Sequence, residues 1–125
     1  MSAFENCMHA AGLPVISIDD LNEAKEYVEK IHDAWENSGG EVEMTVGALI
    51  ALGAATGLDE AALAVLGEVA AMTVLAYIAA CVACLAKAGI DALRDLFAQN
   101  PAPDWMMTGL AENGVSLEDS NSATA

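Results

Sequence analysis

The sequence predicts an all-α fold, a compact bundle of four to five helices around a buried helical hairpin rich in Ala and Gly. Three observations carry this expectation. Hydrophobic residues make up 55% of the chain and aromatics only 5%, so Ala, Val, Leu, Ile and Met supply the apolar volume, which suits closely packed helices. Apolar residues recur at helical spacing in the segments 17–37 and 90–99. Between those segments, residues 69–86, VAAMTVLAYIAACVACLA, run for eighteen positions without a charge although the chain's net charge is −15. A length of 125 residues suits one domain, expected over 1–117, followed by a Ser/Asn/Ala-rich tail at 118–125 expected to be disordered.

The first element is a short helix around residues 3–11, ended by Gly12 and Pro14. The second is SIDDLNEAKEYVEKIHDAWENSGG. Ser17 reads as its N-cap, and Asp19, Asp20 and Glu23 suit the positive end of the helix dipole. Leu21, Ala24, Val28, Ile31 and Trp35 recur at spacings of 3, 4, 3 and 4, which puts them on one stripe. Glu23, Glu26, Glu29 and Asp33 fall mostly outside it and make an acidic face, while Glu26 and Lys30 form a favourable i,i+4 pair. Asn37 to Gly40 ends the helix.

A third helix is expected over residues 42–55, apolar on nearly every side, with Gly47, Ala51 and Ala55 in a small-residue stripe at four-residue spacing. Thr56 and Asp59 resemble a capping pair that starts a fourth helix, expected to run unbroken over 58–87. Ala76, Ala80, Cys84 and Ala88 repeat the small stripe there, so the two helices are expected to form a tight antiparallel hairpin joined near Gly57. Gly89 bends the chain into an amphipathic helix with Ile90, Leu93, Leu96 and Phe97 on one side, stopped by Asn100, Pro101 and Pro103. Trp105, Met106 and Leu110 then dock on the bundle.

A membrane span needs about 20 apolar residues, and 69–86 only approaches that, with Glu68 at its edge and many of its residues Ala. The preceding helix of about 14 residues would rise only about 21 Å. Permanent insertion is therefore not expected. A soluble form that opens and inserts its hairpin is the alternative, with 42–88 as the inserting unit. In that behaviour the chain resembles pore-forming colicins, in which amphipathic helices wrap a hydrophobic hairpin until a membrane is met. The resemblance is physical, spans about residues 42–90 and carries no shared sequence motif.

With 19 acidic residues against 4 basic ones, phosphate binding has no clustered Lys or Arg to use, which excludes nucleic acid as a partner. A basic protein would instead be attracted and its association accelerated. No Lys or Arg precedes a hydrophobic run at the N-terminus, so no signal peptide is read, and the odd count of Cys7, Cys81 and Cys84 points to a reduced cytoplasm. Export by a route that needs no signal peptide stays open. The cysteines are expected as plain core thiols, with a bridge from Cys7 to Cys81 or Cys84 as the alternative. Neither the CxxC at 81–84 nor Cys7-Met8-His9 with His32 reads as a chemical site. Nothing supplies a nucleophile, a metal cage or a phosphate loop, so neither enzymatic activity nor a cofactor or metal is expected.

The functional expectation is a small bacterial interaction protein of the immunity, antitoxin or inhibitor kind. It would bind a basic protein through Glu23, Glu26, Glu29 and Asp33. The alternative is the membrane-active effector, whose hairpin packs or inserts through Gly47, Ala51, Ala55, Ala76, Ala80 and Cys84. A homodimer through the Ala/Gly stripe is also compatible with the surplus of apolar surface.

Overall fold

The computed structural model describes residues 2–52 and 60–115, and among these it contains seven α-helices. They are α1 (Ala3–Ala10), α2 (Leu21–Asn37), α3 (Val46–Ala51), α4 (Glu60–Leu66), α5 (Val74–Ala86), α6 (Ile90–Gln99) and α7 (Asp104–Glu112), with a 3₁₀ turn at Gly67–Val69 after α4. The all-α expectation is met, with more and shorter helices than the four to five expected.

Helix starts are fixed by side chains that accept otherwise orphaned backbone N–H groups. Ser2, Asp20, Thr45 and Thr73 accept from Glu5, Glu23, Ala48 and Ala76 and so set the first residues of α1, α2, α3 and α5. The N-cap of α2 is Asp20, not Ser17. The reason lies upstream: the Ile18 N–H donates to the buried Glu5 carboxylate at 2.7 Å, and the Ile18 side chain is fully buried. That pairing holds Ile18 on α1, residues 16–18 stay outside helix, and helical geometry begins only after Asp20.

α5 is the central element, packed chiefly against α2, α7 and α1. It buries Val74, Tyr77, Ile78, Cys81, Val82, Cys84 and Leu85. Full burial of each large aliphatic among them contributes about 1.5–3 kcal/mol. Tyr77 Oη donates to the Pro14 carbonyl at 2.6 Å. With that proton used, Tyr27 Oη donates to Tyr77 Oη at 2.7 Å. This chain of hydroxyls ties α2, α5 and the segment after α1 together.

The unbroken helix expected over 58–87 does not form. The chain leaves the 3₁₀ turn, crosses residues 70–73 without helical structure, and makes an antiparallel bridge between Thr45 and Thr73. The cause is mutual capping of two helix starts. Val46 N–H donates to Met72 O at 2.7 Å, Gly47 N–H to Ala70 O at 2.9 Å, and Val74 N–H to Met44 O at 2.9 Å. Gly47 permits a close approach, as its place in the small stripe suggests, but towards Ala70. A Cβ there would lie 3.1 Å from the Ala70 carbonyl oxygen.

α3 consequently packs on the 3₁₀ turn and α4, not along α5 in the expected stripe-to-stripe hairpin. Ala51 and Ala76 are exposed, Ala80 is half-buried and Cys84 faces α1. Ala55, Thr56, Gly57 and Asp59 lie outside the described residues. The expected bend at Gly89 is present: its φ is +94°, and α5 and α6 meet at 108°.

Cys7 and Cys84 form a disulfide with an S–S distance of 2.06 Å, which joins α1 to α5 across 77 positions of sequence. The expectation of plain core thiols therefore holds for Cys81 alone, which is free and buried. Among the described residues no single helix is long and apolar enough to cross a membrane. The uncharged stretch 69–86 contains only the 13-residue α5 as regular helix, about 20 Å at 1.5 Å per residue.

Candidate functional site

The acidic face of α2 follows from its amphipathic pattern. Ala24, Tyr27, Val28, Ile31 and Ala34 turn inward, which leaves Glu23, Glu26, Asp33 and Glu36 exposed on the outer side. Glu29 differs from the other predicted acids. The nearly buried Lys25, 5% exposed, pairs its ammonium with the Glu29 carboxylate one turn on and neutralises it. Glu23, Glu26 and Asp33 are exposed without a Lys or Arg partner, although Glu23 accepts from the Asp19 N–H and Glu26 from the Asn22 amide, and Asp19 and Glu36 are exposed beside them. Lys30 is the exposed basic residue on this helix.

At its C-terminal end this face runs into an aromatic cluster that unites both tryptophans of the chain. The His32 ring lies parallel to Trp105, centroids 3.9 Å apart and planes 4° apart, and tilts against Trp35 at 5.3 Å. Trp35 Nε1 donates to the Glu41 carbonyl at 2.8 Å, which draws the 41–43 loop over the end of α2. Val42 stands 70% exposed between the exposed Glu41 and Glu43. His32 Nδ1 lies 2.8 Å from a Glu36 carboxylate oxygen, but without the alignment of a hydrogen bond. Burial pushes the His32 pKa below its ordinary value, and Glu36 and Asp33 only partly oppose that. The ring is therefore neutral at pH 7 and acts as an aromatic surface.

Beside His32 and Trp105 opens a cleft of about 200 Å³ between α2, α5 and α7. Leu75, Ile78, Ala79 and Val82 of α5 form its apolar wall, and Glu112 and Asn113 stand at its rim. Gly109 brings α7 onto α5: a Cβ there would meet Val82 Cγ1 at 2.9 Å. Two wider hollows are also present, one of about 470 Å³ beside His9, Pro14 and Glu68, the other of about 350 Å³ beside Phe4, Asp20 and Cys84.

Cys7, His9 and His32 do not form a chemical cluster. Cys7 is consumed in the disulfide, His9 is exposed on α1, and His32 is stacked on Trp105. Among the described residues no group of three or more His, Cys, Asp or Glu could hold a metal ion. Burial raises the Cys81 thiol pKa, which makes it a poor nucleophile. Met106 is a core residue, and Met107 packs half-buried against the core. No protein-family model, curated protein or solved structure matches the chain.

Sequence reasoning found the acidic face but missed the cleft. Trp35 reads as one more member of the buried stripe and Trp105 as a docking residue, and nothing in their spacing announces that His32 lies between them. The signal available was compositional: the chain has only two tryptophans, each a few residues from a Pro or Gly that ends a helix.

Proposed function

We propose that this protein is a small acidic interaction module of the immunity, antitoxin or inhibitor kind, which binds a basic protein through the outer face of α2. The observation that carries the reading is the exposure of Glu23, Glu26 and Asp33 on a helix whose inner face is fixed in the core, so that the charges are presented by a rigid support. Glu29 belongs to the same face but is partly spent on Lys25. The test is capture from an extract of the host at low salt, with wild type compared to Glu23→Gln/Glu26→Gln/Asp33→Asn. The reading expects a basic protein held by wild type, released by salt and absent from the variant. Equal capture by both would sink it.

A second reading, the secreted membrane-active effector that resembles pore-forming colicins in its logic, is favoured by one observation. Disulfides persist in oxidising compartments, and the Cys7–Cys84 bond supports such a location over a reduced cytoplasm. In this reading residues 42–88 are the inserting unit, released from the helices around them. The same bond ties α5 to α1, so release would first require its reduction.

A further inference from the structure

We propose that the cleft between α2, α5 and α7 is an anchor pocket for one lysine or arginine side chain of the basic partner. The proposal rests on the basic-partner reading for the source of that side chain, and on the cleft for its recognition.

The walls suit an apolar stem and the mouth suits a positive head. Leu75, Ala79 and the Trp105 indole all line the cleft at partial or full exposure. A methylene chain lies well on such surfaces, and an indole attracts a cation. Glu112, exposed at the rim, supplies a carboxylate where the stem would end. None of the chain's 4 basic residues lines the cleft, so no internal cation already satisfies it. A volume of about 200 Å³ has room for one long side chain and too little for a folded segment.

Position selects a partner's side chain over a free amine. Asp33 and Glu36 continue the acidic face of α2 up to His32, which lines the cleft. A basic protein docked along that face would thus bring its own Lys or Arg to the opening. His32, neutral and 94% buried by its 6% exposure, adds ring surface without repelling the incoming charge.

The test uses the ¹⁵N-labelled full chain, whose two Trp indole N–H resonances report separately. Capped Gly-Arg-Gly and Gly-Lys-Gly peptides, the uncharged norleucine peptide, whose side chain is that of lysine without its ammonium group, and free cyclohexylammonium are titrated in turn. The Arg or Lys peptide is expected to shift the Trp105 resonance with a dissociation constant in the millimolar range, about −4 kcal/mol for 1 mM. The norleucine peptide is expected to bind at least about threefold more weakly, and Glu112→Gln to cost the charged peptides about the same factor. Ala79→Phe fills the cleft from an exposed position, keeps every charge, and is expected to abolish the shift.

Equal binding of the norleucine peptide overturns the proposal. So does an unchanged shift in Ala79→Phe, which would mark attraction to the acidic surface alone. Binding of cyclohexylammonium with no response to either charged peptide also overturns it, and would assign the cleft to a free amine. None of these outcomes alters the capture experiment on Glu23, Glu26 and Asp33, so the two readings fail separately.

Discussion

His32 sits with 6% of its surface in solvent, its ring against Trp105 and its Nδ1 near Glu36. Burial is the dominant influence and lowers its pKa, so the folded state binds the proton less readily than the unfolded chain, where the ordinary value is 6.5. Above pH 6.5 the ring is neutral in both states and its contribution to stability is intact. As pH falls through 6.5 towards the lower folded value, the unfolded chain is protonated first and stability is lost. Denaturant midpoints measured from neutral to mildly acidic pH should therefore fall more steeply for wild type than for His32→Gln. Parallel slopes would show that the buried ring does not govern this window. Tyr77 acts through hydrogen bonding. Burial raises the phenol pKa, so the hydroxyl stays protonated and donates to Pro14. Tyr77→Phe removes the group that both Pro14 and Tyr27 engage, and calorimetry should show a loss of about 1–3 kcal/mol.

At the scale of elements, the Cys7–Cys84 bond decides how α1 is held. It closes a loop of 77 positions, for which loss of the bond costs about 2–5 kcal/mol. Thiol titration in denaturant without reductant should find one free thiol, Cys81, and the unfolding midpoint should drop on reduction or in Cys7→Ser. Three free thiols in the purified protein would contradict the bond. How much of the fold the sequence showed also depends on this scale. α2 and α6 were legible because their apolar residues repeat at helical spacing and Asn and Gly or Pro end them. Residues 42–55 and 58–87 were not, because their long uncharged runs, 44–58 and 69–86, have no polar face from which to read a period. Its break is set by the pairing of Thr45 with Thr73, residues far apart in sequence whose helix starts cap each other. The acidic half of the site was equally visible, since solvated carboxylates mark the outside of a helix. Lys25 and Glu29 stand at the i,i+4 spacing that pairs charges on a helix, whereas the meeting of His32 with Trp105 depends on packing that no local pattern records.

For the whole molecule, two properties compete to define function: the uncharged stretch 69–86 and the net charge of −15. The fold divides that stretch, buries one face of α5 under α1, α2 and α7, and fixes α5 to α1 by the disulfide. A 13-residue helix reaches about 20 Å of a hydrocarbon core about 30 Å thick. Dye-loaded vesicles are therefore expected to stay intact with the oxidised protein at neutral pH and at about pH 5, and release at either pH would favour the effector reading. Most acids among the described residues, by contrast, are exposed, and α2 organises part of them on its outer face. The central claim is that a basic protein docks there, and its most direct test is the affinity of the captured partner for wild type and for Glu23→Gln/Glu26→Gln/Asp33→Asn between about 50 and 300 mM salt. Three interfacial charges at about 0.5 kcal/mol each predict roughly tenfold weaker binding by the variant at low salt, with a flatter salt dependence than wild type. Equal affinities with equal salt slopes would contradict the claim.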